Sequence, residues 1–175
     1  MNIEEAPQDC PHPEFSPYAL EMDVVSLSYG SVTVLSEVTV GLVRGGVTAV
    51  IGPPGSGKST LLDCATGRLT PTSGWVGLHD RIARPAPGQW DRLLHADPEK
   101  PELLVADDLE DARPLYAAMA LEDQARTVLV TTSSVAVAAA ADVTLFLADG
   151  RLTDVMCGAS AEEVAARLVG LTARC

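Results

Sequence analysis

Residues 47–60, with the sequence VTAVIGPPGSGKST, decide the fold of this chain. The first five residues are a continuous apolar run, which is typical of a strand buried on both faces in a parallel sheet. The run leads into GPPGSGKS, which fits the pattern GxxxxGK[ST], and apolar residues at helical spacing follow it. A strand, a glycine-rich loop and a helix in this order favour phosphate binding. The alternative is a glycine-rich turn without a ligand.

Each part of the pattern has a chemical role in phosphate binding. Glycines let backbone N–H groups converge on phosphate oxygens, and the start of the helix adds partial positive charge. Lys58 would place its ammonium group at the β- and γ-phosphates of a nucleotide, and the Ser59 hydroxyl would be a ligand of Mg²⁺. The predicted nucleotide-binding residues of the loop are Gly52, Pro53, Pro54, Gly55, Ser56, Gly57, Lys58, Ser59 and Thr60.

A second Mg²⁺ ligand is expected from the segment LLVADD at residues 103–108. Its four apolar residues predict a buried strand, and Asp107 would emerge at the end of that strand, where such proteins hold the metal. The alternative is a solvated acidic turn, because Asp107, Asp108, Glu110 and Asp111 lie close together.

Outward from these motifs, valine-rich strands alternate with helical segments. Strands are predicted at 19–29, 31–43, 75–78, 103–106, 127–131, 143–147 and 152–156, and helices at 58–68, 110–122, 135–141 and 161–172. Residues 80–100 are expected to be irregular, with one short helix at 90–95. The pattern predicts an α/β fold with a mostly parallel sheet and an N-terminal antiparallel β portion. Residues 1–18 are expected to form a flexible, acidic, proline-rich tail, and residues 19–175 a single nucleotide-binding core.

The composition limits the classes of partner. The chain has 175 residues, 47% of them hydrophobic, which suits one domain with a core. A formal net charge of −12 argues against a nucleic-acid partner, because such binding needs a basic surface. The four cysteines lack metal-ligand spacing and the acidic start does not fit a signal peptide, so a cytoplasmic protein is expected. The apolar stretch 128–148 contains polar residues, so a transmembrane span is not expected.

Three stretches of the sequence resemble the ATP-binding domain of ABC transporters. The longest spans residues 20–78 and includes LSYGSVTVLSEVTVGLVRGGVTAVIGPPGSGKSTLLDCATGRLTPTSGWVGL. The others are PELLVADD and RTVLVTTSSVAVAAAADVTLFLADGRLTD. The resemblance implies a P-loop NTPase fold that binds ATP or ADP with Mg²⁺. It also places Tyr29 where the family has an aromatic residue stacked on adenine. The alternative for Tyr29 is a tyrosine at a strand end without a ligand.

The chain departs from the family pattern at the positions used for hydrolysis and for dimer closure. The interval from Gly74 to Asp107 is too short for the family's helical subdomain, and the sequence contains no LSGGQ-like signature. A Q-loop is also not recognisable, since Gln89 lies among prolines and glycines. Asp108 stands in place of the general-base glutamate, and Ser133 in place of the switch histidine.

These observations predict a truncated ABC-type protein that binds Mg-ATP or Mg-ADP as a regulatory or accessory component, with weak or no hydrolysis. The implied partners are a nucleotide and a membrane permease or another protein subunit, which would bring the protein to the membrane periphery. A homodimer is a further hypothesis. Three alternatives stay open. They are an active minimal ATPase with Asp108 as general base, a small kinase with lid residues Arg81, Arg84 and Arg92, and an interaction module that the nucleotide only stabilises.

Overall fold

The computed structural model describes residues 17–83, 102–119 and 126–172. In these ranges the chain forms strands β1 (Tyr18–Tyr29), β2 (Val32–Val43), β3 (Val47–Ile51), β4 (Ser73–Leu78), β5 (Arg81–Ala83), β6 (Glu102–Ala106), β7 (Arg126–Thr132), β8 (Val143–Ala148) and β9 (Arg151–Cys157). The helices are α1 (Lys58–Ala65), α2 (Arg113–Met119), α3 (Val135–Ala139) and α4 (Ala161–Thr172).

The larger sheet carries the glycine-rich loop. Its strand order is β5-β6-β7-β3-β8-β9, and every neighbouring pair is parallel except β8 and β9, which are joined by a hairpin. All five residues of β3 are buried, which accounts for its continuous apolar sequence. Because β3 lies between β7 and β8, the loop that follows it opens at the centre of the carboxyl edge of the sheet.

The smaller sheet has the order β2-β1-β4 and is antiparallel throughout. Its strands alternate buried and exposed residues, as expected where one face meets a core and the other meets water. Its buried face packs with α1 on one side of the larger sheet, in a core that includes Leu20, Leu35, Leu61 and Leu145.

The opposite face of the larger sheet is covered by α2, α3 and α4. Phe146 of β8, Leu115 of α2, Val137 of α3 and Val164 of α4 are fully buried in this second core. The helix α4 begins with a reciprocal cap. The Ser160 backbone N–H donates to Glu163 Oε2 at 2.8 Å, and the Glu163 N–H donates to Ser160 Oγ at 3.3 Å.

An ion pair joins the two sheets at the edge opposite the loop. Arg44, just before β3, donates from Nη2 to Asp80 Oδ1 at 2.7 Å and from Nε to the same oxygen at 2.9 Å. The Asp80 side chain is completely buried, and that of Arg44 is 21% exposed. This pair therefore fixes the connection from β2 to β3 against the connection from β4 to β5.

The mostly parallel sheet and the N-terminal antiparallel strands confirm the predicted fold class. The sequence interpretation was wrong at residues 81–83, which form β5 rather than an irregular segment and pair in parallel with β6. Tyr18, the last residue of the predicted tail, already belongs to β1. Residues 1–16 and the expected helix at 90–95 lie outside the described residues. In the described part of the chain, no helix has the length and apolar character needed to cross a membrane.

Candidate functional site

The glycine-rich loop, residues 52–57, turns directly from β3 into α1 and depends on its glycines. A Cβ atom on Gly52 would lie 2.0 Å from the Leu147 carbonyl oxygen in β8, so the loop packs against the neighbouring strand. Gly55 and Gly57 have φ angles of 80° and 99°, which side chains rarely allow. The chain can therefore make this turn because glycine stands at these positions.

Gly150, in the turn between β8 and β9, supports the loop from behind. Its N–H donates to the Ser56 carbonyl at 3.0 Å, and its carbonyl accepts from the Ser36 N–H in β2 at 2.9 Å. Its φ is 73°, and a Cβ atom there would lie 2.1 Å from the Val34 carbonyl oxygen. One residue thus connects the loop, the hairpin and the smaller sheet.

Lys58, the first residue of α1, is held by the loop itself. Its Nζ donates to the carbonyl oxygens of Gly52 at 2.8 Å and Pro53 at 3.1 Å. Burial lowers the pKa of this ammonium group from its usual value of 10.5, while the charges of Asp108 and then Asp107 oppose that shift. The backbone N–H groups of the first turn of α1 have no acceptor within the helix. They and the Lys58 ammonium group can therefore bind the same anion in the loop.

Asp107 follows β6 and reaches the start of α1. The Ser59 hydroxyl donates to Asp107 Oδ1 at 3.1 Å, and the Thr131 hydroxyl donates to the same oxygen at 2.5 Å. The pairing of Ala106 with Val130 between β6 and β7 brings Asp107 beside Thr131. The parallel sheet therefore joins two of the predicted metal ligands, Ser59 and Asp107, across 48 positions of sequence.

Asp108, the predicted general base, has a φ of 52°, a left-handed conformation that aspartate tolerates better than most residues. Its backbone N–H donates to Thr131 Oγ1 at 2.8 Å. Asp108 and Ser133 both line the cleft described next. The two residues predicted to stand in place of a general-base glutamate and a switch histidine thus line one space.

A cleft of about 530 Å³ contains most of these groups. Its lining residues are Val34, Pro54, Gly55, Gly57, Lys58, Ser59, Thr60, Asp107, Asp108, Thr131 and Ser133. The other predicted loop residues, Gly52, Pro53 and Ser56, form the base of the loop without lining the cleft. Sequence reasoning did not single out Val34 or Thr131. Their side chains come from β2 and β7, and only the order of the strands brings them here.

Tyr29 lies at the end of β1 with 55% of its surface exposed, and it is not among the residues that line the cleft. Its contact with adenine stays a prediction. Arg81 lies in β5 and does not line the cleft either, while Arg84 and Arg92 are outside the described residues.

The donor groups of the cleft fit Mg²⁺ delivered with a nucleotide. Mg²⁺ prefers oxygen ligands at about 2.0–2.1 Å in octahedral geometry, and protein sites that use it with phosphates supply one or two groups. Ser59 Oγ lies 3.1 Å from Asp107 Oδ1, so the hydroxyl and the carboxylate are close enough to approach the same small cation. Among the described residues there is no group of three or more His, Cys, Asp or Glu that could hold a metal.

Known proteins resemble this chain in sequence. The model of the ABC transporter family matches residues 35–156, which is more than half of the chain. An Fe(3+) ions import ATP-binding protein, FbpC 1 of Rhodococcus jostii, is 41% identical over 73 residues, covering 42% of this chain and 20% of the relative. The histidine transport ATP-binding protein HisP of Pseudomonas aeruginosa is 36% identical over 83 residues, 47% of this chain and 32% of the relative. The chain thus spans a third or less of these relatives.

Solved structures agree on the fold. An ATP-binding cassette of an ABC transporter in its ADP conformation aligns with a TM-score of 0.69 and 15% identity, over 90% of this chain and 99% of that one. A dimeric post-hydrolysis cassette bound to ADP and phosphate aligns with a TM-score of 0.64 and 16% identity, over 81% and 99%.

Proposed function

The chain belongs to the ABC transporter family, and from this membership we propose that it binds Mg-ATP or Mg-ADP in the cleft, with slow or no hydrolysis. The observation that carries the proposal is the meeting of Lys58, Ser59 and Asp107 in one cleft beside the glycine-rich loop. These three groups are the cation, the hydroxyl and the carboxylate that a Mg-nucleotide requires.

Each group of the proposed site has its own role in nucleotide binding. The loop N–H groups and the Lys58 ammonium bind phosphate oxygens, and Lys58 exchanges its two carbonyl partners for them. Ser59 and Asp107 would hold the Mg²⁺ ion, which when bound would neutralise phosphate charge. Tyr29, at the end of β1 and outside the lining of the cleft, supplies a ring for adenine.

The altered residues support the slow-hydrolysis part of the proposal. Asp108 is one methylene shorter than glutamate, and a displacement of about 1 Å in a positioned reaction can cost on the order of a hundredfold in rate. Ser133 has a hydroxyl where an imidazole would exchange protons near neutral pH. The interval from Gly74 to Asp107 in the sequence is too short for the family's helical subdomain.

Partners follow by extension from the relatives, whose names describe ATP-binding proteins of iron import and of histidine transport. We place this chain as a regulatory or accessory ATP-binding component, bound at the membrane periphery through a permease or another subunit. A homodimer is the second assembly to test.

The test compares nucleotide binding by the wild type and Lys58→Ala, using calorimetric titration of ADP and ATP in MgCl₂. Loss of a charge-assisted hydrogen bond, about 2 kcal/mol, is expected to weaken binding roughly 30-fold. Arg68→Ala is the matched control, because Arg68 is a cation near the other end of α1 with a side chain 62% exposed, and it does not line the cleft. Lack of saturable binding by the wild type at millimolar nucleotide would contradict the proposal.

Phosphate release tests the hydrolysis half separately. The wild type is expected to release phosphate from Mg-ATP slowly or not at all. Steady release that disappears in Asp108→Asn would instead establish an active ATPase with Asp108 as general base. Equal stabilisation by ADP and ATP without any effect on a bound protein partner would favour the interaction module.

A further inference from the structure

Thr131, near the carboxyl end of β7, contacts both acidic residues of the cleft through one hydroxyl group. Its Oγ1 donates to Asp107 Oδ1 at 2.5 Å and accepts from the Asp108 N–H at 2.8 Å. Its own carbonyl accepts from the Leu109 N–H at 2.9 Å, and the residue is fully buried. Three consecutive residues after β6 are therefore held by a single residue of the neighbouring strand.

The direction of these hydrogen bonds matters for a cation. A threonine hydroxyl has one proton, and a backbone N–H can only donate, so Thr131 accepts from Asp108 and gives its proton to Asp107. Asp107 Oδ1 also accepts the Ser59 proton. The Ser59 oxygen thus keeps its lone pairs for a metal, and the second oxygen of the Asp107 carboxylate is not used by either hydroxyl.

The same contact holds the backbone of Asp108 in its left-handed conformation. With a φ of 52°, this residue is in a region that costs energy for any side chain. The bond from its N–H to Thr131 Oγ1 offsets that cost and fixes the turn from which Asp107 and Asp108 enter the cleft.

We propose that Thr131 is a positioning residue that sets the affinity of the nucleotide-bound site for its divalent cation. It does so by fixing the Asp107 carboxylate against Ser59. This inference rests on the proposed function, since the cation arrives with a nucleotide. Groups that orient metal ligands by hydrogen bonding commonly affect metal affinity in this way.

The test measures the dissociation constant of ADP in MgCl₂ and again in EDTA, and takes the ratio of the second to the first. In Thr131→Val, which keeps the shape of the side chain, we expect this ratio to fall about tenfold. The dissociation constant in EDTA should stay the same, because phosphate contacts are unchanged. Thr131→Ser retains the hydroxyl and should restore the ratio.

Thr144→Val is the matched control. Thr144 is a buried threonine in β8 whose hydroxyl donates to the Ala138 carbonyl at 2.8 Å, away from the cleft. Its replacement should lower stability without changing the ratio. Should Thr131→Val fail to fold, Thr131→Ala supplies the same comparison.

The outcomes separate the two proposals. A wild type that binds ADP in neither buffer overturns the proposed function. If the wild type binds ADP but its ratio of dissociation constants is near one, only the role of Thr131 is overturned. The same holds if Thr131→Val leaves the wild-type ratio unchanged. An equal fall in the ratio for Thr144→Val would also overturn it, because the effect would then be general destabilisation.

Discussion

Replacing Gly150 with alanine is expected to destabilise the chain and to displace the glycine-rich loop. Gly150 is buried in the turn between β8 and β9, where its N–H and carbonyl bind Ser56 and Ser36. The new Cβ atom would lie 2.1 Å from the Val34 carbonyl oxygen. That separation is more than 1 Å shorter than an ordinary contact between carbon and oxygen, so the turn must move away from β2.

The size of the effect follows from three contributions. A left-handed alanine costs about 1 kcal/mol relative to glycine. Movement of the turn breaks the bonds from Gly150 to Ser56 and from Ser36 to Gly150, each of which contributes about 1 kcal/mol. We therefore expect the free energy of unfolding to fall by about 3 kcal/mol, which leaves a typical domain folded.

Gly158→Ala provides the matched control. Gly158 also has a positive φ, of 58°, but a Cβ atom there would have nothing within 4 Å. Its N–H donates to the Asp142 carbonyl at 2.9 Å, and this bond can remain. The substitution should therefore cost only the conformational part, about 1 kcal/mol.

Urea unfolding followed by circular dichroism measures both variants, and ADP titration measures the loop. Gly150→Ala should lose about 2 kcal/mol more than Gly158→Ala and should bind ADP more weakly, because Ser56 lies within the loop. If the losses of Gly150→Ala and Gly158→Ala agree within about 0.5 kcal/mol, the steric reasoning is refuted, because a difference of that size is no larger than the usual scatter between independent sites. Unchanged ADP affinity in Gly150→Ala would refute the proposed support of the loop.

Two further predictions concern stability. Asp80→Asn should lower the free energy of unfolding by roughly 3 kcal/mol, because it leaves Arg44 facing a neutral, buried partner. Glu37→Gln neutralises an exposed partner of Arg151 and should cost less than about 1 kcal/mol. Equal losses of the two variants in urea unfolding would contradict this. Hydrogen bonds from Ser160, chiefly from its backbone N–H, lower the pKa of Glu163 from its usual value of 4.5. The ionised carboxylate therefore stabilises the folded chain above pH 4.5, and this stabilisation is lost as the pH falls through the lowered pKa. Glu163→Gln should therefore be less stable than the wild type at neutral pH, and the two should converge as the pH falls below 4.5; a difference that persists in acid would refute the assignment.

The fold could be predicted well where short segments carry their own signals. The run 47–51, the loop after it and α1 are contiguous, and their apolar pattern and glycines determine their structure locally. The segment 81–83 could not be predicted in the same way. It has only three residues and ends two positions before Pro85, and it becomes a strand because β6 offers its free edge.

The candidate site shows the same division. The meeting of Ser59 and Asp107 could be anticipated from their motifs, because Ser59 opens the helix after the loop and Asp107 ends a recognisable strand. Thr131 could not, since its contact with Asp107 depends on β6 and β7 being neighbours in parallel register. That register is a long-range property, which the local pattern of either strand does not contain. The contact of Tyr29 with adenine remains a prediction, because it would be made with a ligand and not with another part of the chain.

The two hydrogen bonds of Lys58 to its own loop make nucleotide binding an exchange rather than an addition. In the proposed binding mode, each phosphate contact that Lys58 gains would be matched by a carbonyl contact at Gly52 or Pro53 that it gives up. The heat released on binding is therefore smaller than the bonds counted in the bound state would suggest. Lys58→Ala removes partners from both states, so the affinity it loses is a lower bound on the strength of the lysine–phosphate contact, and the empty loop of that variant should be less rigid than the empty wild-type loop.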